Sequence, residues 1–391
     1  MTVSSSKDIF KQKTMKNLLR IVLTVILILT TVTLKAQIQL QKPVRIAIAG
    51  MTHDHIGFIL GKRDMPYMKI VGIYEPNREL VEKYARSFHF DTTLIYNNLE
   101  RMLEQVKPEA VVAFGSIYEH MAVVEACAPR GIHVMVEKPL ATSMKHARKM
   151  QDLAAKYKIN LLTDYETSWY PSTAKSWQLV NDSSFVGRLK RVVIHDGHQG
   201  PREIGCSKEF LEWLTDPVQN GGGAIVDFGC YGANLMTYLT RGQEPVSVTA
   251  VTRQFKPEIY PRVDDDATII VSYPGCTCVI QASWNWPFGR KDMEIYGEKG
   301  YIIAQNAKEM RLKNQQTRDE VFRRVTSNDI AVFEDPFAYF AEVIRGKITM
   351  TDYDPYSLKN NVMVVRILDA ARESARTGKT IVFKGSGAIR N

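Results

Sequence analysis

Between residues 44 and 164 the chain alternates short apolar runs with helix-length stretches, and this alternation limits the fold more than any other feature. The apolar runs cover 44–49, 68–74, 94–96, 110–113, 133–136 and 161–162. Stretches near 55–62, 78–88, 118–128 and 143–157 read as helices, the last opened by Ser143 as its N-cap. Strands alternating with helices of this length predict a doubly wound parallel sheet.

The pattern changes after Asp164. Strand-like runs dominate at 189–195, 246–254, 267–273, 276–284, 293–296 and 301–304. Helices are expected near 227–239, 336–344 and 358–376. This second half reads as an α+β domain on a mostly antiparallel open sheet. Such a sheet leaves one face free, which suits a homo-oligomer surface. A chain of 391 residues is too long for one ordinary domain. The expected division is a leader over 1–36, a first domain over 43–165 and a second over 166–391, with the linker inside 164–171.

The first 36 residues have the features of a secretory signal peptide. Lys13, Lys16 and Arg20 precede an apolar run over 21–34, and Ala36 is a small residue at a plausible cleavage point before Gln37. Met15 offers an alternative start. The run is shorter than the roughly 20 apolar residues that span a bilayer. The expectation is a periplasmic or secreted protein with no stable membrane insertion after cleavage. This segment also inflates the charge: of the net +9, residues 1–36 carry +5, and no basic run stands out in the remainder. A nucleic-acid partner is therefore not expected. The five cysteines, Cys127, Cys206, Cys230, Cys276 and Cys278, match no zinc spacing and no disulfide framework.

Two motifs carry the chemistry. Glu137-Lys138-Pro139-Leu140 follows the fifth apolar run, where open α/β sheets bind ligands. Further along comes Gly221-Gly-Gly-Ala-Ile-Val-Asp227-Phe-Gly229-Cys-Tyr231. In this order and spacing, the chain resembles the Gfo/Idh/MocA family, named for glucose-fructose oxidoreductase and inositol dehydrogenase, over roughly 44–383. The resemblance implies a Rossmann-like first domain and a nicotinamide-dependent oxidoreductase. Its substrate would be a secondary hydroxyl of a sugar, cyclitol or glycoside.

On the cofactor side, Gly50 stands at the first glycine of the dinucleotide fingerprint, but Thr52 and His55 replace the second and third. Thr52, His53 and His55 are the residues expected at the pyrophosphate, beside helix N-terminal amides that favour an anion. Glu75 ends the second strand and suits a ribose diol; it would repel a 2′-phosphate, so NAD is preferred over NADP. The resemblance adds Ser116, His120, Glu137 and Lys138 as cofactor neighbours. His53 and His55 are too few for a metal site, so no metal is expected.

On the chemical side, carbinol oxidation needs a proton acceptor and a cation for the developing oxyanion. Lys138 is placed for the cation. Asp227 and Tyr231, four apart, are expected on one helix face. Tyr231 occupies the acid–base position of the family, and a nearby Lys138 is expected to lower its pKa. Tyr165, Trp169 and Tyr170 follow the sixth run and suit sugar stacking and hydrogen bonding; the run 195–201, with His198, and Trp213 are expected opposite them. Export argues for a tightly held, recycled cofactor. Two alternatives remain open: an oxidation-assisted glycosidase using the same residues, and a sugar-binding or scaffolding protein whose cofactor site has decayed.

Overall fold

The computed structural model describes residues 42–383 apart from Arg63, together with Leu23 and Thr24. The leader expected over 1–36 lies outside the described residues, apart from those last two. Among the described residues no helix is long and apolar enough to cross a membrane.

Six strands form one parallel sheet: β1 (Val44–Ala49), β2 (Met68–Tyr74), β3 (Ile95–Tyr96), β4 (Ala110–Ala113), β5 (His133–Glu137) and β6 (Leu161–Asp164). Their order is β3-β2-β1-β4-β5-β6, with every pair parallel. The winding reverses between β1 and β4, which opens a crevice at their carboxyl ends. Both faces of the sheet are covered, so the strands are mostly apolar; Arg45 of β1 and Lys69 of β2 are the exposed exceptions. Ile46, Ile48 and Val112 face one core, and Ala47, Val111 and Val134 the other. The expected first helix is only Ile56–Leu60. A helix at Leu99–Val106, capped by Asn98, was not evident from the sequence.

The second sheet has nine strands: β7 (Leu189–Gly197), β8 (Ser247–Arg253), β9 (Asp266–Ser272), β10 (Thr277–Ser283), β11 (Arg290–Gly297), β12 (Gly300–Ala304), β13 (Glu309–Asn314), β14 (Val321–Arg324) and β15 (Ile381–Val382). The order is β14-β13-β12-β11-β7-β10-β9-β8-β15, antiparallel except for β7 with β10. Helices Gly229–Leu239 and Leu358–Thr377 cover one face. Val248, Ala250, Ile269 and Ile280 point into it and are buried, whereas Val251 and Ile270 point away and are exposed.

Residues far beyond 166 also add to the cores of the parallel sheet. Phe337, Phe340 and Val343 of helix Pro336–Ile344 complete the core beside Ile46 and Ile48 of the parallel sheet. Asp369 of the last helix accepts the Met144 N–H at 2.9 Å. The chain thus returns to its first sheet after building its second.

Candidate active site

Strand β5 delivers Lys138 into the crevice, through a cis Lys138–Pro139 peptide. Its partner comes from the glycine run. A Cβ on Gly223 would lie 1.7 Å from the Asp264 carbonyl oxygen, so only glycine lets the backbone rest there. Asp264 then accepts the N–H groups of Gly223, Ala224 and Ile225 and opens the short helix Ala224–Asp227. At its end, Asp227 Oδ1 lies 2.5 Å from Lys138 Nζ, and the Asp227 carbonyl accepts from the same ammonium at 3.1 Å. Trp284 Nε1 donates to Asp227 Oδ2 at 3.0 Å. Burial opposes both charges, but each charge outweighs it for the other. Lys138 is held above its usual pKa, chiefly by Asp227, and Asp227 below its own, chiefly by Lys138.

The single helix expected to carry both Asp227 and Tyr231 is interrupted at Phe228. Asp227 ends one helix and Tyr231 lies in the first turn of the next, Gly229–Leu239. The two residues still converge. The Tyr231 ring centre lies 5.2 Å from Lys138 Nζ and 4.8 Å from Lys291 Nζ. Its pKa is raised, not lowered: burial acts first, then the Glu166 carboxylate and other acidic neighbours. Tyr231 therefore rests as a neutral hydroxyl. Among the described residues no hydrogen bond engages that hydroxyl.

Around Tyr231, Tyr165 packs edge-on at 5.4 Å and is fully buried, with its own hydroxyl unpaired. Tyr170 donates to Glu166 at 2.5 Å, and Glu166 pairs with Lys291. Trp169 stands edge-on to Phe58 at 6.0 Å. His198 meets the Phe228 ring at 4.9 Å, and its Nδ1 accepts the Gly200 N–H at 2.9 Å, which leaves the proton on Nε2. Trp213 is buried with Phe210 against His53, on the nucleotide-loop side.

The nucleotide loop is tight. Gly50 has φ +80, and a Cβ there would sit 2.9 Å from the Gly115 nitrogen. His53 is buried; its N–H donates to the Phe114 carbonyl at 2.8 Å, and its Nδ1 accepts the His55 N–H at 3.1 Å. The His53 proton is thereby fixed on Nε2, 3.8 Å from Glu137 Oε2, which also lies 3.1 Å from His55 Nδ1. These three groups are close enough together to suggest a metal. The tautomer makes His53 a donor instead, because its bare nitrogen is already occupied. In a second such group, His195, Asp292 and Glu294, both oxygens of Asp292 are taken by Arg290, at 2.7 and 2.8 Å.

Glu75 is buried, and its carboxylate accepts the N–H groups of Met51 at 2.8 Å and Asn77 at 2.9 Å. It lines a cleft of about 840 Å³ with Pro76, Tyr96 and Asn97, and with the cations of Arg78 and Arg101. Ser116 Oγ donates to Gln219 at 2.7 Å. His120 Nδ1 meets the Leu140 carbonyl at 3.2 Å, and its Nε2 is buried without a partner; burial pushes this histidine down to about 4. Thr52 Oγ1 is also buried and unpaired. Two orphaned polar atoms, one in the loop and one behind Leu140, fit a polar ligand lying along this crevice. The segment 200–220 crosses back over it: the Ser207 N–H donates to Asp54 at 2.9 Å, and Lys83 pairs with Glu209 at 3.0 Å.

The sequence matches two family models in tandem. Residues 44–165 match the oxidoreductase family with an NAD-binding Rossmann fold, and residues 178–303 match the GFO/IDH/MocA C-terminal domain. The chain belongs to the Gfo/Idh/MocA family. Among members, a trans-1,2-dihydrobenzene-1,2-diol dehydrogenase of Xenopus laevis is 30% identical over 196 residues, 49% of this chain and 54% of that protein. The match therefore spans about half the length of that relative. Among solved Gfo/Idh/MocA structures, an aldose-aldose oxidoreductase of Caulobacter crescentus complexed with glycerol aligns with TM-score 0.72 and 21% identity, covering 87% of this chain and 100% of that one. An inositol dehydrogenase homolog of Azotobacter vinelandii complexed with NAD+ aligns with TM-score 0.75 and 16% identity, covering 88% and 98%. At these identities the two structures establish the shared fold.

Three residues at the site were not singled out in the sequence. Trp284 and Lys291 lie far along the chain from the two motifs and arrive through β10 and β11. Gln219 reaches Ser116 from the crossing segment. Asp196, expected only as one member of the run 195–201, lies near the end of β7 and faces inward. The inward alternation of β7, with a carboxylate two residues after Ile194, was the signal for it.

Proposed function

We propose that this protein is an NAD-dependent oxidoreductase acting on a secondary hydroxyl of a sugar, cyclitol or glycoside. The observation that carries this reading is the buried Lys138–Asp227 pair beside the neutral hydroxyl of Tyr231. The residues suited to hold the dinucleotide are Glu75 at the adenosine end, Thr52 and the His53 Nε2–H in the loop, and His120 Nε2 as an acceptor farther along. When bound, the nicotinamide would supply the hydride acceptor. The Lys138 ammonium steadies the substrate oxygen as negative charge develops, and Asp227 keeps that ammonium charged and aimed. The Tyr231 hydroxyl carries the proton. Glu166, Tyr170 and His198 offer polar atoms, and Trp169 a ring, to the remaining hydroxyls. The names of the relatives, a diol dehydrogenase and an aldose-aldose oxidoreductase, support the substrate class.

NAD is preferred because the Glu75 carboxylate suits a diol, although Arg78 and Arg101 line the same cleft. Export after cleavage near Ala36 and retention of a recycled cofactor belong to this reading, as does a homo-oligomer through the exposed Val251–Ile270 face of the second sheet. The competing reading is a sugar-binding protein with a decayed cofactor site, motivated by Thr52 and His55 in place of glycines. Denaturing the purified protein and titrating NADH into stripped protein separates the two. Released or saturably bound dinucleotide supports the enzyme, whereas the absence of both supports the binding protein.

A further inference from the structure

Lys138 and Asp227 arrive on two separate loops, and one side chain of the last helix binds the backbone of both. Arg372 donates through Nη1 to the Gly221 carbonyl and through Nη2 to the Thr142 carbonyl, the latter at 2.8 Å. Thr142 lies four residues after Lys138, and Gly221 six before Asp227. Asp369, one turn earlier on the same helix, pairs with the same Nη2, and its other oxygen accepts the Met144 N–H at 2.9 Å. The junction is closely packed. Gly221 has φ +87, and a Cβ there would sit 3.1 Å from Arg372 Nη1 and 3.2 Å from the Thr142 carbonyl oxygen. Backbone conformation and close approach both call for glycine at this position. The planar fork of an arginine presents its N–H groups to two acceptors at a fixed spacing, which a lysine does not.

We infer that Arg372, aimed by Asp369, is a positioning residue that sets how Lys138 meets Asp227. The inference rests on that pair steadying the substrate oxygen in the proposed reaction. Asp264 anchors the glycine run to the second sheet through the N–H groups of Gly223, Ala224 and Ile225. Arg372 ties the start of the same run to the turn after β5, and so joins the two loops to each other. A misplacement of about 1 Å, even from a change far from the chemistry, can lower a rate on the order of 10²-fold. The tie therefore acts on turnover more than on folding. The Arg372 and Asp369 side chains are 30% and 31% exposed, so water can replace the fork at both carbonyls when it is removed. The chain then still folds, but water does not hold the two loops at one spacing.

The test compares the full-length protein with its Arg372→Met and Arg372→Lys variants. Trace acetylation by acetic anhydride, read by peptide mass spectrometry, reports on Lys138, with Lys62, which pairs with Asp335 at 2.5 Å, as the reference. In Arg372→Met, Lys138 should acetylate at least about tenfold faster than in the parent while Lys62 keeps its rate, the local effect of losing hydrogen bonds to a charged group. Arg372→Lys keeps the charge without the fork and should fall between the two. It stands in for Arg372→Met if that variant does not fold. With NAD+ and D-glucose or myo-inositol, kcat of Arg372→Met should fall about 10–100-fold while NADH affinity holds. Unchanged Lys138 acetylation in both variants overturns the inference, as does parent-like turnover. A rise shared equally by Lys62 also overturns it, because that is general loosening and not a shift at the pair. A parent that oxidises neither compound counts against the proposed substrate class alone, and acetylation then decides the role of Arg372.

Discussion

The indole of Trp284 donates to Asp227 Oδ2 at 3.0 Å, on the carboxylate whose other oxygen holds Lys138. A strand from the second sheet thereby fixes the angle at which the lysine of the first domain is presented. Trp284→Phe removes that donor and leaves a buried, charged acceptor half satisfied. The expected loss is about 1.5–3 kcal/mol of stability, the range for hydrogen bonds to charged groups. Turnover should fall while NADH affinity holds. Urea unfolding and cofactor titration of the same variant check both.

Removing one member of the Lys138–Asp227 pair leaves the other charge buried alone. Asp227→Leu should therefore destabilise by about 3–5 kcal/mol. The double variant Lys138→Met, Asp227→Leu should regain much of that while staying inactive. Denaturant midpoints for the three proteins measure this; a double variant no better than the single would mean the pair is not the source of the loss.

Tyr231→Phe deletes a hydroxyl that makes no hydrogen bond among the described residues, so stability should change little. Its rate on a sugar or polyol substrate should fall about 10²–10⁴-fold. Steady-state kinetics and a thermal melt separate the two effects. Near-full activity would shift proton transfer to another group.

Burial raises the Asp196 pKa above that of the unfolded chain. Such a group contributes stability that is fully present below the unfolded value, about 3.9, and lost as pH rises toward the folded one. The amide introduced by Asp196→Asn cannot ionise in either state. That variant should thus melt above the parent at pH 8, with the gap closing toward pH 4. Thermal melts across that interval test the sign.

The parallel sheet was legible because its strands are apolar on both faces and separated by amphipathic helices. Lys138, Asp227 and Tyr231 were legible because two compact motifs carry them. The break at Phe228 was not, since a helix and its interrupted form have the same spacing. β14 was missed because Val321 and Phe322 lie exposed on an edge, without the alternation a half-buried strand imposes. The direction of the Tyr231 shift was misread because Lys138 is already committed to Asp227. The carboxylates of Glu166 and Asp196, and the burial itself, come from distant segments.

The central claim is that a loop with Thr52 and His55 in place of glycines still holds a dinucleotide against Lys138. Calorimetric titration of NADH and NADPH into stripped protein, repeated on Glu75→Ala, tests it most directly. The account predicts saturable one-to-one binding of NADH, weaker binding of NADPH, and loss of that preference in Glu75→Ala. No binding of either dinucleotide to properly folded protein would contradict it.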